Sequence, residues 1–262
     1  MARAEEKDQF DQNFWTMRAG GGYEQLGWVK AGNLLEKIVE LADLKGHEKV
    51  VEVGTGSQAV LDVVTPHLNK GGRYLGFDIS AIMMARKQGI RPKNSTLLVA
   101  DAYRAPFASG VVDVVIARMV YHHLDDVSAA LKEAQRILRP GGKLIISEYV
   151  AGDEEVLAFE RQVFDIKERG RNLWTGVQLA GIVENAWGHD SIQLDYAVMP
   201  QYSVRDWMGK SGLPQEDQIA VLDLYKKAPL SVIQKMGITY CRDVQGVDAL
   251  VNRPFAYVVA EK

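Results

Sequence analysis

Residues 51–60 read VEVGTGSQAV. An apolar run leads into two close glycines, Gly54 and Gly56, and Ala59 follows, which gives the spacing G-x-G-x-x-A. Such a pair lets the chain turn tightly from a strand into a helix and brings main-chain amides up to a ligand. Glu52 stands inside the apolar run, two residues before the first glycine. A carboxylate there repels a pyrophosphate and favours a cationic ligand or an α-amino group. Asp78 lies 24 positions after Gly54 (78 − 54), where an acidic residue can accept ribose hydroxyls.

Outward from this turn, short apolar runs alternate with helical spacing. Strands are predicted over 49–54, 73–78, 96–101, 111–118 and 143–149. Helices are predicted at 57–68, 80–88 and 126–138, and before them a helix from residue 31 with Gly46 as its C-cap. The alternation predicts an α/β Rossmann-like, doubly wound, mostly parallel seven-stranded sheet. After residue 150 the rhythm turns helical, and 252–262 reads as a closing strand. The expected organisation is an N-terminal arm or lid at 1–30, a cofactor-binding core at 31–150, a helical insertion at 151–235 and C-terminal strands at 236–262.

Composition narrows the function. The 262 residues carry a formal net charge of −3, with cationic residues spread along the chain, so no basic nucleic-acid footprint is expected. The polar start lacks a secretory apolar segment, and no stretch nears the roughly 20 apolar residues a membrane span needs. A cytoplasmic protein with a small-molecule substrate is expected, and at most a second copy of the chain, as a homodimer, for a partner. The single cysteine, Cys241, reads as a small buried residue of a strand. No metal site is expected. S-adenosylmethionine, with an ammonium, a sulfonium and no phosphate, meets the requirement that Glu52 sets.

Five blocks, VVEVGTGS, GFDIS, LLVADAYRAPF, VVDVVIARMVYHHLDD and RILRPGGKLIISE, resemble the class I S-adenosylmethionine-dependent methyltransferases, and most of all the small-molecule branch that holds the ubiquinone and menaquinone methyltransferases. The resemblance covers about residues 30–150. It implies that Glu52, Gly54, Thr55 and Gly56 form the glycine-rich motif and that Asp78 takes the ribose. It places Ile79 beside the adenine, Asp101 and Ala102 at its amino group, and Ala117, Arg118 and Met119 along the methionyl part. One departure stands out: the family often has a glycine where this chain has Gln58, whose side chain would narrow the methionine end.

Methyl transfer from a sulfonium chiefly requires alignment and exclusion of water. Trp15, Tyr23, Tyr121 and Tyr149 are the aromatic candidates to face the cation. Tyr121, His122 and His123 follow the fourth strand at the ligand-binding edge, and either histidine could take an acceptor's proton. Glu148 is expected on the same rim, while Asp125 and Asp126 read as caps of the next helix. Trp174, Trp187, Tyr202, Trp207, Phe159 and Phe164 are expected mostly as core, with a few lining an acceptor pocket. Three rival readings remain on sequence grounds: one-carbon transfer with another donor or acceptor such as a folate, NAD-dependent oxidation, and a non-catalytic ligand-binding subunit.

Overall fold

Strand β1 (Lys49–Val53) lies in the middle of an eight-stranded sheet. The chain is described here by a computed structural model over residues 22–85, 90–168, 170–188, 192–244 and 246–262. Residues 1–21 with Trp15, the side chain of Tyr23 and the expected helix end at 86–88 lie outside the described residues.

Beside β1 run β2 (Arg73–Asp78), β3 (Ser95–Val99), β4 (Val112–Arg118) and β5 (Leu138–Tyr149), all parallel. The order is β3-β2-β1-β4-β5-β8-β6, so the winding reverses between β1 and β4. Ligands of open α/β sheets bind at that reversal, outside the carboxyl ends of the strands. β8 (Gly246–Glu261) is antiparallel to β5, and both β6 (Ile192–Ser203) and β7 (Thr239–Asp243) pair with it.

The eighth strand and the long β6 correct the expectation of seven strands and a purely helical insertion. β6 carries apolar residues at alternate positions, Ile192, Leu194, Tyr196 and Val198, and is largely half-exposed, because it is the edge strand. That alternation is the signature of a half-buried strand, and the expectation of a helical insertion passes over it. Cys241 lies in β7 but is exposed, not buried, since that short strand also sits off the main path of the sheet. The helix α1 (Gly32–Ala42) ends at Asp43 (φ 47°), three residues before the expected cap, Gly46.

Helices α2 (Ala59–Val64), α3 (Ala81–Ala85), α4 (Val127–Ile137), α5 (Glu154–Lys167) and α6 (Gly176–Trp187) follow in chain order. Alternate strand residues bury on opposite faces, as the two-residue repeat requires. Val50, Val114 and Ile145 join a core with α1, α2 and α5; Val51, Val115 and Ile146 join a second core with α4 and α6. Local signals end the elements cleanly. Asp126 caps α4 on Ala129 N, Asp153 caps α5 on Val156 N, and Thr175 with Gln178 forms a full capping box on α6. Beyond β6, α7 (Val204–Gly209) is capped by Ser203 on Asp206 N. The end of the expected helical insertion forms two helices, α8 (Gln215–Lys226) and α9 (Leu230–Met236), separated at Pro229. Among the described residues no helix is long and apolar enough to cross a membrane.

Candidate active site

The glycine turn is tight for identifiable reasons. Gly54 has φ 67°, and a Cβ there would overlap the Val120 side chain, so only glycine lets the end of β1 pass the loop after β4. Thr55 N donates to Phe77 O at 3.0 Å. Gly56 N donates to Asp78 Oδ2 at 2.9 Å, and Ser80 N donates to Asp78 Oδ1 at 2.8 Å. Asp78 thus ties the turn to the end of β2, and burial pushes its carboxyl up.

Beside Asp78, Ile79 is 65% exposed and Val99, its neighbour at the end of β3, is 63% exposed. Asp101 is exposed, its Oδ1 accepting from Tyr103 N at 2.9 Å, and Ala102 is half-buried. Carboxylates flanking an exposed apolar edge suit a nucleoside: hydroxyls to Asp78, a flat base on Ile79 and Val99. These residues fit the adenosyl part of S-adenosylmethionine.

Glu52 departs from its expected setting. It is 2% exposed, beneath the turn, and its Oε2 accepts from Thr55 Oγ1 at 2.6 Å and from the Tyr74 hydroxyl. Burial pushes its carboxyl up to about 8, against the Thr55 and Tyr74 hydrogen bonds. A carboxyl that is neutral at pH 7 does not repel a diphosphate, so the charge argument drawn from Glu52 loses its force. Its visible role is to pin the turn.

Gln58 has φ 63°, the left-handed backbone that a glycine would supply, and it begins α2. Its Nε2 donates to Met84 O at 2.6 Å, which carries the side chain to α3. This corrects the expectation that Gln58 would project into the methionine end.

At the end of β4, Arg118 donates to Trp28 O and stacks over the Trp28 ring at 5.2 Å, which docks the segment before α1. Met119, at φ 58°, accepts from Tyr149 N through its sulfur at 3.2 Å. The three residues that follow diverge. Tyr121 is buried in the core with α4, so its phenol does not line the cavity, and burial raises it further above its usual range. His122 is buried, with Nδ1 at 2.6 Å from Glu148 Oε2. Glu148 Oε1 accepts from Val120 N and Tyr121 N at 2.9 and 2.8 Å, and burial pushes this carboxyl up to about 7. His123 instead turns to Glu168 Oε1 at 3.0 Å.

Met119 and His122 line a narrow cavity that opens to solvent. Trp28 and Tyr149 line it from the sheet edge, and Phe164, Tyr202 and Trp207 from the segment beyond residue 150. Phe159 is instead core with α1 and α2, while Trp174 and Trp187 belong with the opposite core.

Residues 51–146 match the methyltransferase-domain family. They are a methyltransferase domain. The demethylmenaquinone methyltransferase of Mycolicibacterium paratuberculosis is 36% identical over 104 residues, 39% of this chain and 42% of that protein. The phosphoethanolamine N-methyltransferase of Triticum aestivum is 27% identical over 176 residues, 64% of this chain and 34% of that protein. The chain thus spans less than half the length of either relative. A methyltransferase-like protein of Bacillus halodurans superposes with a TM-score of 0.73 at 22% identity, covering 88% of this chain and 99% of that one. That likeness shows the fold.

Outside the methyltransferase domain, sequence reasoning missed Lys167, Arg171 and Arg253, which also line the cavity. A signal existed. Glu160 and Lys167 fall at helical spacing among Val156, Val163 and Phe164, on the buried side of α5, and Arg253 interrupts the apolar run of β8. Charged residues at core positions mark either a paired network or a site. His122, His123 and Glu168 bring ligand atoms within 4.8 Å of one another, but Lys167 and Arg171 stand 3.2 and 3.6 Å from the same Glu168, and two cations there oppose a metal.

Proposed function

We propose that the chain transfers the methyl group of S-adenosylmethionine to a small-molecule acceptor bound in the cavity beside Met119 and His122. The observation that carries this is the junction at the carboxyl edge: the glycine turn bonded to Asp78 stands next to β4, whose end opens into an aromatic cavity. When bound, S-adenosylmethionine supplies an electrophilic methyl on a sulfonium. Asp78, Ile79, Val99 and Asp101 hold the adenosine; Gly54, Gly56 and the end of β4 leave room for the remainder. In this reading Leu26 and Trp28 of the N-terminal arm and the described residues of 151–235 cover the site and exclude water.

His122 is the general base for an acceptor that bears a proton. With Glu148 ionised, Nδ1–H donates to Oε2 and Nε2 is the basic nitrogen. The two backbone amides on Oε1 fix the carboxylate and hence the ring. His123 holds Glu168 and has no part in proton transfer. The test is calorimetry with S-adenosylhomocysteine on the parent and Asp78→Ala, followed by metabolite screening with labelled methyl donor. Binding by the parent, weakened at least about tenfold by Asp78→Ala, and a labelled product support the reading. No heat with the parent overturns it.

A further inference from the structure

The cavity has a charge pattern that an apolar methyl acceptor does not need. Lys167, Arg171 and Arg253 all line it, and among the described residues no carboxylate does. The carboxylates that neutralise these cations stand behind them. Glu160, fully buried, lies 3.6 Å from Arg253 Nη1, and Glu168 faces Lys167 and Arg171.

Aromatic rings hold the cations in place. The Arg253 guanidinium lies 3.8 Å above the Trp207 ring and 4.9 Å from Tyr149, and its Nη2 donates to the Tyr225 hydroxyl at 2.9 Å. Its Nε has no hydrogen-bond partner among the described residues, although Arg253 is only 3% exposed. Lys167 sits 4.9 Å from Trp207 and 5.3 Å from Phe164, and Arg171 lies 4.5 Å from Phe164. Fixed guanidinium and ammonium groups between flat apolar walls are donors already oriented for an oxyanion on a flat body.

We infer that the acceptor is an aromatic anion, its ring in the cavity beside Met119 and His122 against the aromatic lining and its anionic group on Arg253, Lys167 and Arg171. The inference rests on the methyl-transfer reading above. The anion is a carboxylate or a phosphate; both suit the donors. The methionine carboxylate of the cofactor is a third claimant for the same cations, and the test separates it.

Full-length protein is titrated with 4-hydroxybenzoate, its neutral isostere 4-hydroxybenzamide, phenyl phosphate and tyramine, with and without saturating S-adenosylhomocysteine. Binding is read by saturation-transfer NMR and calorimetry. The expected result is that 4-hydroxybenzoate or phenyl phosphate binds at least about tenfold tighter than the amide and that tyramine binds weakest; the tighter of the two anions names the group. This comparison needs only the parent protein. In Lys167→Met with Arg171→Met the preference falls about tenfold while affinity for S-adenosylhomocysteine is kept. The inference is overturned if the amide matches the anions, if none of the four binds, or if the double variant loses S-adenosylhomocysteine and keeps the probes. Failure of S-adenosylhomocysteine to bind the parent while the anion preference stands defeats the methyl-transfer reading alone.

Discussion

Substituting Glu52→Gln should change the sign of its effect on stability with pH. The native carboxyl titrates at about 8 against 4.5 for an ordinary glutamate, so the folded state holds the proton more tightly than the unfolded state. Stability is therefore fully present below pH 4.5 and is lost as pH rises toward 8. The interval of 3.5 pH units (8 − 4.5) at about 1.36 kcal/mol each gives a loss of up to about 5 kcal/mol. Glutamine keeps an oxygen for Thr55 and Tyr74 and cannot ionise, but it adds a buried amide that costs about 1–3 kcal/mol if unpaired. Near pH 5 the variant should be less stable than the parent by about that amount. At pH 8 it should be more stable by about 2–4 kcal/mol, the two curves crossing between about pH 5 and 7. Urea titrations followed by tryptophan fluorescence at a series of pH values measure this directly. A difference that stays constant from pH 5 to 8 would show that Glu52 is ionised in the native protein and refute the reasoning.

Gly54→Ala meets both a left-handed backbone at φ 67° and the Val120 side chain; it should lose about 2–4 kcal/mol in thermal denaturation and also weaken S-adenosylhomocysteine binding. Gln58→Gly relieves a left-handed residue and gives up the bond to Met84, terms of about 1 kcal/mol each with opposite sign, so stability should stay within about 1 kcal/mol while Gln58→Val loses more than about 2. Once an acceptor is found, turnover should rise through pH 7 as Glu148 ionises, with an apparent value belonging to the His122–Glu148 pair. Glu148→Gln should remove that limb and cost about 10- to 100-fold in kcat, whereas an unchanged pH profile would take His122 out of proton transfer.

The cofactor half was legible because its determinants are local. Two glycines, a strand before them, a helix after them and an acid at the end of the next strand fall within 30 residues, and each acts through its own backbone. Asp126 was readable as a cap for the same reason: the partner amide is three residues away. Glu52 marks the limit of such reading. Its position in the motif was visible, but its state depends on burial beneath the turn, which raises the carboxyl against the hydrogen bonds from Thr55 and from Tyr74, 22 residues on. β6 was legible too, since Ile192, Leu194, Tyr196 and Val198 alternate as a half-buried strand requires; the helical segments on either side of it hid the signal.

The acceptor cavity is the opposite case, and its illegibility has a physical cause. Trp28, Met119, Tyr149, Lys167, Trp207 and Arg253 come from six separate segments, brought together only when β8 returns antiparallel beside β5 and α5 crosses the edge. No spacing rule links Arg253 to Glu160, 93 residues earlier (253 − 160), yet the pair stands 3.6 Å apart in the interior. A buried cation and carboxylate with Tyr225 between them are costly to desolvate and stabilise the fold less than apolar residues of the same size would. Stability alone gives no reason to keep the network; a guanidinium held at the cavity wall, with its countercharge placed behind it, gives one. The network also sets a constraint on any substitution at Glu160: removing the carboxylate leaves Arg253 charged and buried, so Glu160→Gln should destabilise the chain and, in whatever fraction stays folded, tighten rather than weaken the hold on an anion.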